Sequence, residues 1–149
     1  MMRLLYVTIF QASRNFNLVG RVTKPFNPLL GETFEVVTPS YRAIAEQVSH
    51  HPPIAALHCE GEGYTWTKTN DVKLKFTGKA LQAQEMNSVF IKIHPTCLKK
   101  EKKNYEEYTF NPNKTLVANL FIGETYIEPF GTAIVTCHDN GFSAEVDYK

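Results

Sequence analysis

The sequence predicts a mainly β protein in which one N-terminal helix precedes an antiparallel meander. Three observations carry this reading. Apolar and polar side chains alternate with period two in several short runs. The clearest covers 142–148, where Phe142, Ala144, Val146 and Tyr148 share one face and Ser143, Glu145 and Asp147 the other. Turn-forming residues punctuate the runs. After Glu32 no helical stretch separates one run from the next, so the strands are expected to pair antiparallel, in a sheet that curls or closes to manage its edges.

Over residues 2–14, Leu5, Ile9 and Ala12 recur at helical spacing, with Leu4 and Val7 beside them, and predict a helix despite the β-branched Val7, Thr8 and Ile9. A loop follows, with Asn15, Asn17 and Gly20 and then Lys24-Pro25-Phe26-Asn27-Pro28. Its two prolines forbid regular helix or central strand and set an extended, turning path that Leu29-Leu30-Gly31 closes. Alternation returns in Val72-Lys73-Leu74-Lys75-Phe76, in Val89-Phe90-Ile91-Lys92-Ile93, and in a short run carrying Tyr64 and Trp66. The predicted turns fall at Gly61 and Gly63, Asn70-Asp71, Asn111-Pro112-Asn113 and Asp139-Asn140-Gly141, the last a strong hairpin signal. The final run reaches Lys149 with nothing to close it. A half-apolar open edge is a liability, so the chain is expected to be a fragment of a longer barrel.

Bulk properties narrow the function. The 149 residues suit one domain with a sizeable core, and a net charge of +1 argues against a chain built to wrap nucleic acid, though not against a local anion site. Cys59, Cys97 and Cys137 form no CxxC and are read as small buried or half-buried thiols in a reducing compartment. The apolar start, Met1 to Val7, meets Gln11 and Arg14 too soon to span a bilayer, and no small-residue cleavage site follows. The expectation is a cytoplasmic protein that meets organelle membranes peripherally. The densest charge run, Lys99-Lys100-Glu101-Lys102-Lys103, reads as a solvated loop or as a patch for anionic lipid.

The segment that carries chemistry is Glu46-Gln47-Val48-Ser49-His50-His51-Pro52-Pro53. Adjacent histidines on a regular strand would point to opposite faces. The two prolines end the strand, so His50 and His51 are placed at a strand end or rim, where both can face one ligand. Imidazoles there donate hydrogen bonds to an anion, with charge when protonated. A hydrolase with Ser49 and a histidine base is weak, because the GxSxG elbow is absent. A metal site joining His50 or His51 with His58, His94 or His138 lacks helical ligand spacing. The plain alternative is two histidines in a turn with no ligand.

Glu46-Gln47-Val48-Ser49-His50-His51-Pro52-Pro53-Ile54-Ala55-Ala56 matches the fingerprint of the oxysterol-binding protein family throughout. Lys24-Pro25-Phe26-Asn27-Pro28-Leu29-Leu30-Gly31-Glu32 resembles its second hallmark, in the right order and separation; Glu107-Tyr108 and Gly123 to Gly131 resemble it more loosely. The resemblance implies a lipid-binding domain built as a large incomplete β-barrel around an apolar tunnel. Residues 1–149 would be its central part, without the N-terminal lid or the C-terminal region. It implies a binding protein, not an enzyme, with no cofactor. Its partners would be a sterol or phospholipid in the tunnel, phosphatidylinositol 4-phosphate, and a membrane met peripherally. Transfer would exchange sterol for phosphatidylinositol 4-phosphate between membranes. The alternatives are a phosphatidylserine carrier and a truncated, non-transferring fragment.

Residue by residue, the resemblance makes Lys24 the cation of the headgroup site, His50 and His51 its paired donors, and Asn27 a further polar contact. Several converging donors suit a phosphate, because charge-assisted bonds are the strong ones. Glu46 either orients one of these groups or is a solvated strand position. Tunnel residues are not assigned. Phe34, Tyr41, Tyr64, Trp66 and Phe76 are candidates, with core packing the commoner role for such side chains.

Overall fold

The computed structural model describes residues 2–13, 26–94 and 105–148; Lys24, Cys97 and the charge run at 99–103 lie outside them. Among the described residues one helix, α1 (Met2–Ser13), precedes ten strands. These are β1 (Thr33–Val37), β2 (Tyr41–Ser49), β3 (Ile54–Gly61), β4 (Tyr64–Phe76), β5 (Leu81–Glu85), β6 (Val89–Ile93), β7 (Glu106–Asn111), β8 (Lys114–Ala118), β9 (Tyr126–Cys137) and β10 (Ser143–Tyr148). Every pairing is antiparallel.

The register simplifies the topology. Tyr64 pairs with Ile93 and Phe76 with Leu81 on one unbroken line, so β5 and β6 act as a single interrupted strand facing the whole of β4. β7 and β8 likewise run as one interrupted strand between β5–β6 and β9, with a one-residue register shift across the break. The sheet is therefore a meander in sequence order. Among the described residues no pairing joins β1 to β10, so the sheet is a partial ring and not a closed barrel.

Two predicted turns differ. Asn70-Asp71 lies inside the 13-residue β4, at the level where β3 ends opposite Asp71 and β5 begins opposite Val72. Polar residues are tolerated there because the neighbouring strands change, and the Met86 N–H finds the Asp71 carbonyl at 2.8 Å. Asn111-Pro112-Asn113 separates β7 from β8 without reversing the chain. The Asn140-Gly141 turn is as predicted. Gly141 adopts φ +72°, a conformation that favours glycine, and the Asn140 side chain accepts from the Phe142 N–H at 2.9 Å. β10 keeps its alternation but starts at Ser143, leaving Phe142 exposed.

The helix lies where predicted but presents a different face. Leu4, Val7 and Gln11 are buried, whereas Leu5 and Ile9 are more than half exposed. Counting only apolar residues favoured the 5–9–12 stripe; the stripe that packs includes a fully buried glutamine. α1 packs across β9 and β10. Leu4 and Val7 join Val89, Ile91, Tyr108, Phe110, Val135 and Cys137 in the core, on the face of the sheet that α1 covers. The Arg3 guanidinium meets Glu106 at 3.3 Å. Cys59 and Cys137 are buried free thiols, as expected.

Tyr108 sets an alkaline limit. Its hydroxyl donates to Glu106 at 2.7 Å, and burial first, then the Glu106 carboxylate, push its pKa up. The folded chain disfavours the phenolate. The stabilisation is thus complete below the ordinary tyrosine range and is lost as pH rises above about 10. Thermal midpoints recorded across that range should fall steeply in the parent and less steeply in Tyr108→Phe; identical slopes would contradict this.

Candidate headgroup and lipid site

The fingerprint segment forms the end of β2, a turn and the start of β3. The register slips between Gln47 and Ser49, Ser49 pairs with Ile54, and residues 50–53 turn between them. Pro52 and Pro53 cannot donate to a ladder, which ends the strand at this point. The histidines leave the pleat that would separate them. Their ring centroids lie 4.4 Å apart at an interplanar angle of 60°, and both are exposed. The His51–Pro52 peptide bond is cis.

The second hallmark reaches the same place through the backbone. The Gly31 N–H donates to the Gln47 carbonyl at 2.8 Å, and the Gln47 N–H to the Glu32 carbonyl at 3.0 Å. Leu29 N–H donates to the Glu32 carboxylate at 2.7 Å, which fixes the approach of the segment. Gly31 stands at φ +77°, where a side chain would be strained. Asn27 is therefore held on an exposed segment that joins β2 three residues before His50. Lys24 lies outside the described residues. The structure brings together the two motifs that carry Asn27, His50 and His51. Glu46 is exposed on the β2 face and reads as a solvated strand position.

The other histidines are elsewhere. His58 meets Glu60 at 3.1 Å; there the Arg42 bond first and His58 second hold the carboxyl below the usual range. His138 meets Thr109 at 3.0 Å, and the His94 and Tyr105 rings meet at a tilt, their centroids 5.6 Å apart. Among the described residues no three His, Cys, Asp or Glu side chains converge as metal ligands would.

A cavity of about 710 Å³ opens between α1 and the sheet. Its walls include Phe10 from the helix, Tyr41 and Ala43 from β2, Tyr64 and Trp66 from β4, and Ile91 from β6. That volume suits one small lipid or drug-sized molecule. Of the aromatic candidates, Tyr41, Tyr64 and Trp66 converge on the cavity, while Phe34 and Phe76 are exposed elsewhere. The Tyr64 ring lies across Gly61, where a Cβ would stand only 2.3 Å from ring carbons. That glycine lets the ring lie flat on β3.

The cavity and the histidine turn occupy opposite ends of the β2–β3 hairpin. Tyr41 pairs with Gly61 at one end and Ser49 with Ile54 at the other, roughly 27 Å apart at about 3.4 Å per residue. Between them the inward-facing positions turn polar. Gln47 is buried and donates to the Ser49 carbonyl at 2.8 Å, and Lys68 meets Glu85 at 2.6 Å with only 10% of the lysine side chain exposed. Gln11, Lys68 and Glu85 were not singled out from the sequence. Inward parity from Trp66 would have pointed to Lys68, but only with the β4 register known.

The Oxysterol-binding protein family profile matches residues 1–149. The chain belongs to that family. It is 37% identical over 150 residues to oxysterol-binding protein homolog 2 of Saccharomyces cerevisiae, covering 99% of this chain and 11% of the relative. It is 35% identical over 151 residues to human oxysterol-binding protein-related protein 2, covering 99% and 30%. The chain thus spans a third or less of the relatives it matches. Among solved structures, the Osh1 ORD domain in complex with ergosterol superposes with a TM-score of 0.89 at 36% identity, over 99% of this chain and 35% of that one. The Osh3 ORD in complex with PI(4)P from Saccharomyces cerevisiae superposes at 0.71 and 31% identity, over 82% and 31%.

Proposed function

We propose that this chain is the central part of a lipid carrier that exchanges a sterol for phosphatidylinositol 4-phosphate, and that its work is binding rather than catalysis. The observation that carries the reading is the division of one hairpin. An apolar cavity lies at one end of the β2–β3 hairpin, and two neighbouring imidazoles lie at the other. A sterol body gains about 25 cal/mol per Å² of apolar surface buried in such a cavity. A phosphorylated headgroup takes the donors of His50, His51, Asn27 and Lys24, and its acyl chains reach across the charge-balanced Lys68–Glu85 pair into the apolar cavity. The two lipids then compete for the same space. Relatives crystallised with ergosterol, cholesterol and PI(4)P support both ligands.

Trp66 provides the test, because it is the single tryptophan of the chain and it lines the cavity. Titration with a fluorescent sterol such as dehydroergosterol should produce saturable energy transfer from Trp66. Transfer no greater than that seen with the chain unfolded in urea would refute sterol binding here.

A further inference from the structure

We infer that the β4–β5 turn and the β8–β9 loop together form a docking tip for an anionic lipid bilayer. β4 does not stop at the histidine turn. Ile54, the first residue after that turn, pairs with Asp71, and β4 runs on through Phe76, a further five residues or about 17 Å. The β4–β5 turn therefore projects past His50 and His51 from the same end of the sheet.

The β8–β9 loop meets it there. The Leu120 N–H reaches the Lys79 carbonyl at 3.5 Å, and the Phe76 and Phe121 rings pack edge to face at 6.1 Å. The loop is tied to itself as well. Asn119 Nδ2 donates to the Glu124 carbonyl and the Thr125 hydroxyl to the Asn119 carbonyl, each at 3.1 Å. Thus pinned, it holds Phe121 75% and Ile122 87% exposed, beside the half-exposed Leu74 and Phe76. Apolar side chains held outward on a braced loop mark an interaction surface.

The charge on the tip selects the partner. Lys73 and Lys75, on the face of β4 opposite Leu74 and Phe76, and Lys79 in the turn are all exposed, and residues 72–81 and 117–127 contain one acidic residue, Glu124. Apolar side chains flanked by lysines suit a bilayer with anionic headgroups: the apolar groups enter the interface and the ammonium groups remain among the phosphates. Seated this way, the chain turns the histidine end of its sheet toward the membrane. That purpose rests on the function proposed above; the docking itself does not.

The test uses the whole chain and phosphatidylcholine vesicles with and without phosphatidylserine, none containing phosphoinositide. Co-sedimentation should be stronger with phosphatidylserine and should weaken at high salt. Phe121→Asp with Ile122→Asp, and separately Lys73→Glu, Lys75→Glu and Lys79→Glu combined, should each weaken it by about tenfold or more. Both variants alter exposed positions, so circular dichroism and Trp66 emission should match the parent. A parent that ignores these vesicles, or variants that bind them as well as the parent does, would overturn the inference. Equal binding to neutral and anionic vesicles would overturn the choice of partner and leave an uncharged apolar surface, such as another protein segment, as the occupant. Binding of a soluble short-chain phosphatidylinositol 4-phosphate separates the two ideas. The tip variants should keep it, and its absence in the parent would count against the headgroup site alone.

Discussion

Replacing Glu85 by alanine is expected to destabilise the chain by about 3 kcal/mol, the lower part of the range for breaking a buried ion pair. The reason lies in the polar band between the cavity and the histidine turn. Lys68 sits on β4 with its side chain 10% exposed and its ammonium 2.6 Å from the Glu85 carboxylate, itself one quarter exposed. Removing the carboxylate takes the 2.6 Å counter-charge from an ammonium that water reaches poorly. Replacing both partners, Lys68→Met with Glu85→Gln, should cost much less than the single change, because the two opposite charges are then removed together. Urea unfolding midpoints of the three variants decide the matter. A single variant as stable as the parent would mean that Lys68 turns out to solvent at little cost.

Changing His50 and His51 together to alanine should lower affinity for a soluble phosphatidylinositol 4-phosphate by about a hundredfold. Hydrogen bonds to a charged group contribute about 1.5–3 kcal/mol each, and two of them are removed. Both side chains are exposed in a turn, so the thermal midpoint should hardly move. Saturable transfer from Trp66 to sterol should persist, since the cavity lies at the other end of the hairpin. Loss of both ligands together would point to damage to the fold. Calorimetric affinity equal to the parent's would remove the imidazoles from the site.

How far the sequence could be read depended on the range of each signal. Local chemistry was legible. The alternation of 143–148, the Asn140-Gly141 turn and the strand end before Pro52 each follow from residues next to one another. The placement of the histidines beyond the pleat was legible for the same reason. What failed needed partners far along the chain. Asn70-Asp71 looks like a turn until β3 is seen to end and β5 to begin beside it. The stripe 5–9–12 looks like the buried face of α1 until the sheet accepts Leu4, Val7 and Gln11 instead. The cavity was out of reach because Tyr41, Tyr64 and Trp66 converge only through the β2–β3 and β3–β4 registers. Phe34 and Phe76 have the same composition signal and lie elsewhere.

Exchange requires that the two lipids exclude one another from the chain. The direct measurement is energy transfer from Trp66 to bound dehydroergosterol while phosphatidylinositol 4-phosphate is added. Transfer should fall to baseline in the parent and resist the same additions when His50 and His51 are alanine. A signal that stays constant in the parent, with both lipids bound at once, would contradict exchange.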